Sequence, residues 1–244
     1  MKREMHYRII KEPMAILEVQ MAAGEKITAE AGAMVYIKGE VEIKTRTREG
    51  GLFTKLKVTA LGGESFFVNE FIAKGDCSIG LTGAPIGDIV RLDVRPQGGG
   101  FIVQAGSYVA SSPGVVLDTQ WQGFTKGLFG SEFFMLKATG QGELFVNAYG
   151  GIIQKDLVAG ERLTVDNYHL VALGEQASYR VIKLGGMKTT LLGGEGLATE
   201  VTGPGQIYFQ TKNLREFIDL LGLSQRAETT SNTGGVSFGG FRFG

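Results

Sequence analysis

Two short patterns recur in the same order three times along this chain, and an internal repeat restricts architecture more tightly than composition can. The first reads Ala31-Gly32-Ala33-Met34-Val35, then Ala105-Gly106-Ser107-Tyr108-Val109, then Asp166-Asn167-Tyr168-His169-Leu170. Gly32, Gly106 and Asn167 share a place in it. Glycine and asparagine both tolerate positive φ, so the position reads as a left-handed turn or bulge between two strands. The second pattern reads Gly62-Gly63-Glu64-Ser65-Phe66-Phe67-Val68, Gly140-Gln141-Gly142-Glu143-Leu144-Phe145-Val146 and Gly203-Pro204-Gly205-Gln206-Ile207-Tyr208-Phe209. Gly63, Gly142 and Gly205 are its turn residues, each leading into an apolar strand. The two patterns lie 31, 36 and 38 residues apart, so the copies differ mainly in the connection between them.

Glycine supplies 38 of 244 residues, more than twice the usual share of about 7%. With no Gly-X-Y period, that excess means many tight turns and therefore many short strands. Leu17, Val19 and Met21 alternate with Glu18 and Gln20, Val41 and Ile43 with Glu40, Glu42 and Lys44, and Val90, Leu92 and Val94 with Arg91 and Asp93. Period-two alternation marks antiparallel strands buried on one face. Phe66–Val68 and Leu144–Val146 are apolar on both faces, which places them between sheets or at an interface. The expected fold is all-β: three antiparallel modules, at about 13–75, 86–150 and 151–212, in one compact unit spanning 1–223. Asn213 caps a single short helix over 213–222, with Glu216 three residues on, a stripe of Leu214, Phe217, Ile218 and Leu221 to pack across the end of the β-structure, and Gly222 as its stop. Residues 224–244 are a Gly-, Ser- and Thr-rich tail.

The 25 basic and 25 acidic side chains cancel, so no overall field attracts nucleic acid or an anionic membrane. One cysteine, Cys77, excludes an internal disulfide and fits a reducing compartment. The N-terminus lacks a signal peptide's apolar run, and no stretch reaches membrane-span length. Of the two histidines, His6 lies near the chain start and His169 sits beside Tyr168 and Leu170 without a proton-transfer partner in its sequence context. Leu184-Gly185-Gly186-Met187-Lys188-Thr189 lacks the glycine that a phosphate loop places before its lysine. Lys44, Arg46 and Arg48 share one strand face with Glu40 and Glu42, which reads as a solvated outer row. No catalytic, cofactor-binding or metal-ligating residue is assigned. Bulky apolar residues do stand beside glycines in the first two connections: Leu52 and Phe53, then Trp121, Phe124, Leu128 and Phe129. Such side chains either tuck back over the core or are offered to a partner, and they are the expected interface.

The repeated Ala-Gly-x-x-Val and Gly-Glu-x-Phe-Val elements, the Gly-Leu-Phe segments at Gly51-Leu52-Phe53 and Gly127-Leu128-Phe129, and the late Asn-Leu-x-x-Phe helix resemble the altered-inheritance-of-mitochondria-24 family over Met5 to Leu223. The resemblance implies modules like those of the tryptophan-responsive RNA-binding attenuation protein, associating into a ring, with a homotrimer as the expected assembly. The Arg- and Ser-rich transit segment of mitochondrial relatives is missing, so the expected setting is a prokaryotic cytoplasm. The expected function is a non-catalytic homo-oligomeric scaffold meeting a protein or membrane-associated partner. The alternative is a binding module for a small ligand or single-stranded nucleic acid at repeat junctions, although no basic motif recurs in all three copies to support nucleic acid.

Overall fold

Alternating apolar and polar residues become strands throughout the computed structural model, which describes residues 6–10, 14–46, 68–83, 85–118, 135–184 and 197–221. A first strand, β1 (His6–Ile10), precedes three sets of six. The first set is β2 (Ile16–Met21), β3 (Lys26–Glu30), β4 (Met34–Lys38), β5 (Val41–Arg46), β6 (Val68–Ala73) and β7 (Cys77–Leu81). The second is β8 (Ile89–Val94), β9 (Phe101–Gln104), β10 (Tyr108–Ser111), β11 (Val115–Asp118), β12 (Met135–Gly140) and β13 (Gly142–Asn147). The third is β14 (Ile152–Leu157), β15 (Arg162–Asp166), β16 (Leu170–Gly174), β17 (Ser178–Lys183), β18 (Leu197–Thr202) and β19 (Gly205–Gln210), followed by helix α1 (Leu214–Leu220). Among the described residues the chain is all-β with one short α-helix, and its strands pair antiparallel.

No set forms a sheet by itself. Within each, the first, sixth and third strands make one half-sheet, and the fourth, fifth and second make another. The second half of one repeat joins the first half of the next. This gives the six-stranded sheets β5-β6-β3-β10-β13-β8 and β11-β12-β9-β16-β19-β14, joined through β3·β10 and β9·β16. Among the described residues the half-sheets at the two ends stand alone, as β1-β2-β7-β4 and β15-β18-β17. Three cores lie between these four sheets. The first combines Leu17, Ile27, Phe71 and Ile79 with Ala110 and Phe145 of repeat two, the second joins Leu92, Tyr108 and Leu144 to Val171 and Tyr208, and the third joins Ile102 to Val165, Leu173 and Ile207. Residues on both faces of the shared sheets are therefore buried, as Leu144, Phe145 and Val146 are at 0% exposure. Leu17, Val19 and Met21 are buried as their alternation predicts, whereas Ile43, at 44% exposed, faces out from β5.

Strand pairing corrects both sequence patterns. Register slips by one residue between Met34 and Tyr36, between Tyr108 and Ala110, and between Leu170 and Ala172, so Val35, Val109 and Val171 are equivalent bulge residues. Aligned on the bulge, Gly32 and Gly106 correspond to Tyr168, and Asn167 stands one place earlier. Gly32 has φ +93° and needs glycine. Gly106 and Tyr168 instead sit inside single 3-10 turns, Ala105–Ser107 and Asn167–His169, with no positive φ. Asn167 is there for its side chain: it is buried, and its Oδ1 accepts a 2.7 Å hydrogen bond from Thr199 Oγ1.

Gly142 and Gly205, at φ +142° and +150°, open the sixth strands β13 and β19. A Cβ on Gly205 would lie 2.9 Å from the Ala177 Cβ. Gly63 lies outside the described residues, and Val68 opens β6, a fifth strand. The sixth strand of repeat one is Cys77–Leu81, so the boundary expected near 75 cuts off one strand. The sequence match failed because an aromatic ring changed strands. Opposite Phe145 and Tyr208 stand Ala110 and Ala172, while in repeat one the ring is Tyr36 and its opposite is Gly80. A Cβ at Gly80 would land inside the Tyr36 ring.

Each module thus holds one aromatic and one small residue at this pair. Gly80→Ala should destabilise the fold by about 1–3 kcal/mol, the range for overpacking a full site. Tyr36→Ala combined with Gly80→Phe, which copies the second repeat, should recover most of that loss in a denaturant titration. If Gly80→Ala is neutral, or the double variant is worse than either single one, the swap is not what fills this space.

Candidate functional site

The two internal junctions define what a strand at this position needs. At the first, Ala110 pairs with Ala29 and Ser111 with Thr28. At the second, Ala172 pairs with Val103, Leu173 with Ile102 and Gly174 with Phe101. The junction strands are sealed: Tyr108 and Leu170 are 0% and 3% exposed, and Val109 and Val171 both 0%. The Tyr108 hydroxyl reaches across to the Thr28 carbonyl at 3.1 Å.

Two strands of the same kind lack this cover. Met34 and Val35 of β4 occupy the places of Tyr108 and Val109, yet they are 45% and 53% exposed. Among the described residues β4 pairs only with β7, and β15 only with β18. At the opposite end of the stack, Leu163 of β15 is half-buried where its counterparts Ile27 and Phe101 are buried. These two free edges form the candidate site. A free edge with apolar side chains is a template for strand addition.

Charge around the β4 end is locally balanced. The Tyr36 hydroxyl donates to Glu18, a bond that holds the Glu18 carboxyl below its ordinary range and pushes the tyrosine up. In the outer row of repeat one, Glu42 meets Lys44 at 3.1 Å and also binds Lys74, so that face is no simple positive track. Arg48 lies outside the described residues. At the first junction, burial pushes the half-buried Glu30 carboxyl up to about 7. The equivalent strand-end residues are Gln104 and Asp166, and Asp166 accepts the Tyr168 amide at 2.7 Å instead.

His169 holds the helix to the third repeat. The Gln210 carbonyl can only accept, so the 2.7 Å contact with Nδ1 puts the proton there, and Nε2 accepts from Asn213 Nδ2 at 2.9 Å. Asn213 Oδ1 in turn accepts the Glu216 amide at 2.9 Å, the cap expected from sequence. Glu216 Oε1 lies 3.8 Å from Nε2, a neighbour that local spacing did not reveal. The expected helix stripe is only partly covered: Leu214, Phe217 and Leu221 are 47%, 40% and 54% exposed while Ile218 is half-buried, and the polar cap ties the helix to the β-structure. Cys77 is buried, and burial pushes its thiol up, away from reactivity. Leu52, Phe53, Trp121, Phe124, Leu128 and Phe129 lie outside the described residues, in connections between the fourth and fifth strands. Among the described residues no helix is long and apolar enough to cross a membrane.

The fold and its repeats define a class of triplicated β-proteins, and comparison places the chain within it. Residues 7–212 match the family model described as mitochondrial biogenesis AIM24, and the chain belongs to that family. An uncharacterised protein of Streptococcus pyogenes serotype M6 is 28% identical over 213 residues, covering 84% of this chain and 85% of its own. A crystal structure of a Streptococcus pyogenes protein superposes with a TM-score of 0.72 at 25% identity, over 91% of this chain and 100% of that one.

The raised Glu30 carboxyl gives the fold a pH signature. Its folded pKa of about 7 exceeds the unfolded value, so its contribution is fully favourable below about pH 4.5 and is lost as pH rises through 7. Glu30→Gln should therefore raise the melting temperature at pH 8 and change it little at pH 4. Equal shifts at both pH values would show that the carboxyl is not held in a desolvated place.

Proposed function

We propose that the protein is a non-catalytic scaffold that works in the cytoplasm as a homo-oligomer, a closed ring of three chains. The observation that carries the reading is the contrast between equivalent residues: Met34 and Val35 are 45% and 53% exposed, while Tyr108, Val109, Leu170 and Val171 are at most 3% exposed. Burying one Met or Val side chain contributes about 1.5–3 kcal/mol, so an assembly covering this strand gains stability that the isolated chain forgoes. A single buried thiol is compatible with a reducing compartment. His169, the most enzyme-like side chain, has both ring nitrogens committed to holding the helix.

Function then resides in surfaces that the assembly presents, including the connections that carry Leu52, Phe53, Trp121, Phe124, Leu128 and Phe129. Native mass spectrometry on the full chain at micromolar concentration should give a mass of three chains. A stable monomer at that concentration would contradict the scaffold reading.

A further inference from the structure

Each shared sheet in the chain is assembled by one rule: the third strand of a repeat adds antiparallel to the second strand of the repeat before it. The rule is obeyed twice and left incomplete twice. Among the described residues the third strand of repeat one, β4, has no second strand beside it, and the second strand of repeat three, β15, has no third strand beside it. The half-sheets that carry them, β2-β7-β4 and β17-β18-β15, are the two complementary halves of one more shared sheet.

We infer that a second copy of this chain lays its β4 along the free edge of β15, making the six-stranded order β17-β18-β15-β4-β7-β2 across the two molecules, with β1 as an added seventh strand. This rests on the self-association proposed above and names the surface and partner that achieve it.

The internal junctions also set the register. Aligning the bulges makes Tyr36 equivalent to Ala110 and Ala172, Ile37 to Ser111 and Leu173, and Lys38 to Gly174. On the other strand the 3-10 turns that follow β9 and β15 align Val165 with Val103, and the strand ends align it also with Ala29. Since Ala110 faces Ala29 and Ala172 faces Val103, Tyr36 of one copy faces Val165 of the other. Ile37 then faces Thr164, and Lys38 faces Leu163. A one-residue slip would turn every side chain to the opposite face, so burial on both sides of the internal junctions excludes it as an equivalent alternative.

The interface is heterologous, because the two edges differ. It closes into a ring if the rotation between successive repeats divides a full turn, and grows into a filament if it does not. The rotation from repeat three to the next copy's repeat one is then the rotation between repeats within the chain. Exposure at the partner edges fits the assignment. Met34 and Val35 lie just ahead of Tyr36 in β4, where Tyr108 and Val109 cover the first internal junction.

The test is a covalent bond that only the right register allows. Directly opposite residues in an antiparallel pair have Cα atoms about 4.5–5.5 Å apart, within disulfide reach. Ile37→Cys with Thr164→Cys, in a Cys77→Ala background, should give disulfide-linked multimers on non-reducing denaturing electrophoresis after mild oxidation. The two positions sit in different sheets of one chain, so a bond between them is between copies. Lys38→Cys with Leu163→Cys is the second in-register pair, should the first variant fail to fold. Ile37→Cys with Val165→Cys is one residue out and should link at least tenfold less.

Native mass is read on the same samples. An oligomer whose in-register pairs cross-link and whose slipped pair does not supports the inference. An oligomer in which the pairs link equally, or not at all, overturns the edge pairing and leaves self-association standing. A monomer without cross-links overturns both.

Discussion

Strands two, four and five of a repeat lie in a different sheet from strands one, three and six, so a single repeat owns two half-sheets and completes neither. Everything else follows from that division. Repeat two is covered on both sides because repeat one supplies β3 and repeat three supplies β16. The cores are shared in the same way, with Ala110 and Phe145 of repeat two filling the core of repeat one. Cutting between repeats would split a sheet. Among the described residues the first and last half-sheets each keep an unpaired edge, at β4 and at β15.

The modules are equivalent in topology and not in side chains. Where Tyr36 faces Gly80, Phe145 faces Ala110 and Tyr208 faces Ala172, so the same volume is filled from either strand. This freedom explains how three copies keep one backbone while their sequences diverge. Capping differs too: repeat three alone continues into a helix, tied down through His169, Asn213 and Gln210. Those polar residues fasten the helix; Asn213 was legible in the sequence as its cap, whereas His169 drew attention there only as a possible proton-transfer group.

Local chemistry made much of this legible. Alternation at Leu17, Val19 and Met21, the φ of Gly32, the number of repeats and the Asn213 cap could all be read because each depends on residues within a few places of one another. The alignment of the repeats could not. Gly63-Glu64-Ser65-Phe66 imitates Gly142-Glu143-Leu144-Phe145 in sequence yet precedes a fifth strand, while the true counterpart at Cys77–Leu81 lost its aromatic to Tyr36. Asn167 looked like a glycine substitute, but its partner is Thr199, 32 residues away. The free edges were hidden for the same reason: Met34-Val35 looks no different from Tyr108-Val109 until one knows which strand lies alongside. Sequence reasoning therefore turned to the apolar residues of the connections, and the exposure of Met34 and Val35 was not read.

The central claim is that β4 and β15 are interior strands of an assembly rather than edges. Hydrogen–deuterium exchange of the native full chain, followed by mass spectrometry of peptides spanning 34–38 and 162–166, reads this directly, because amides in a ladder exchange slowly and those on a free edge do not. The account predicts protection comparable to that of 108–111 and 170–174, declining when the protein is diluted until it dissociates. Rapid exchange in both segments at every concentration, with the internal junctions protected, would contradict it.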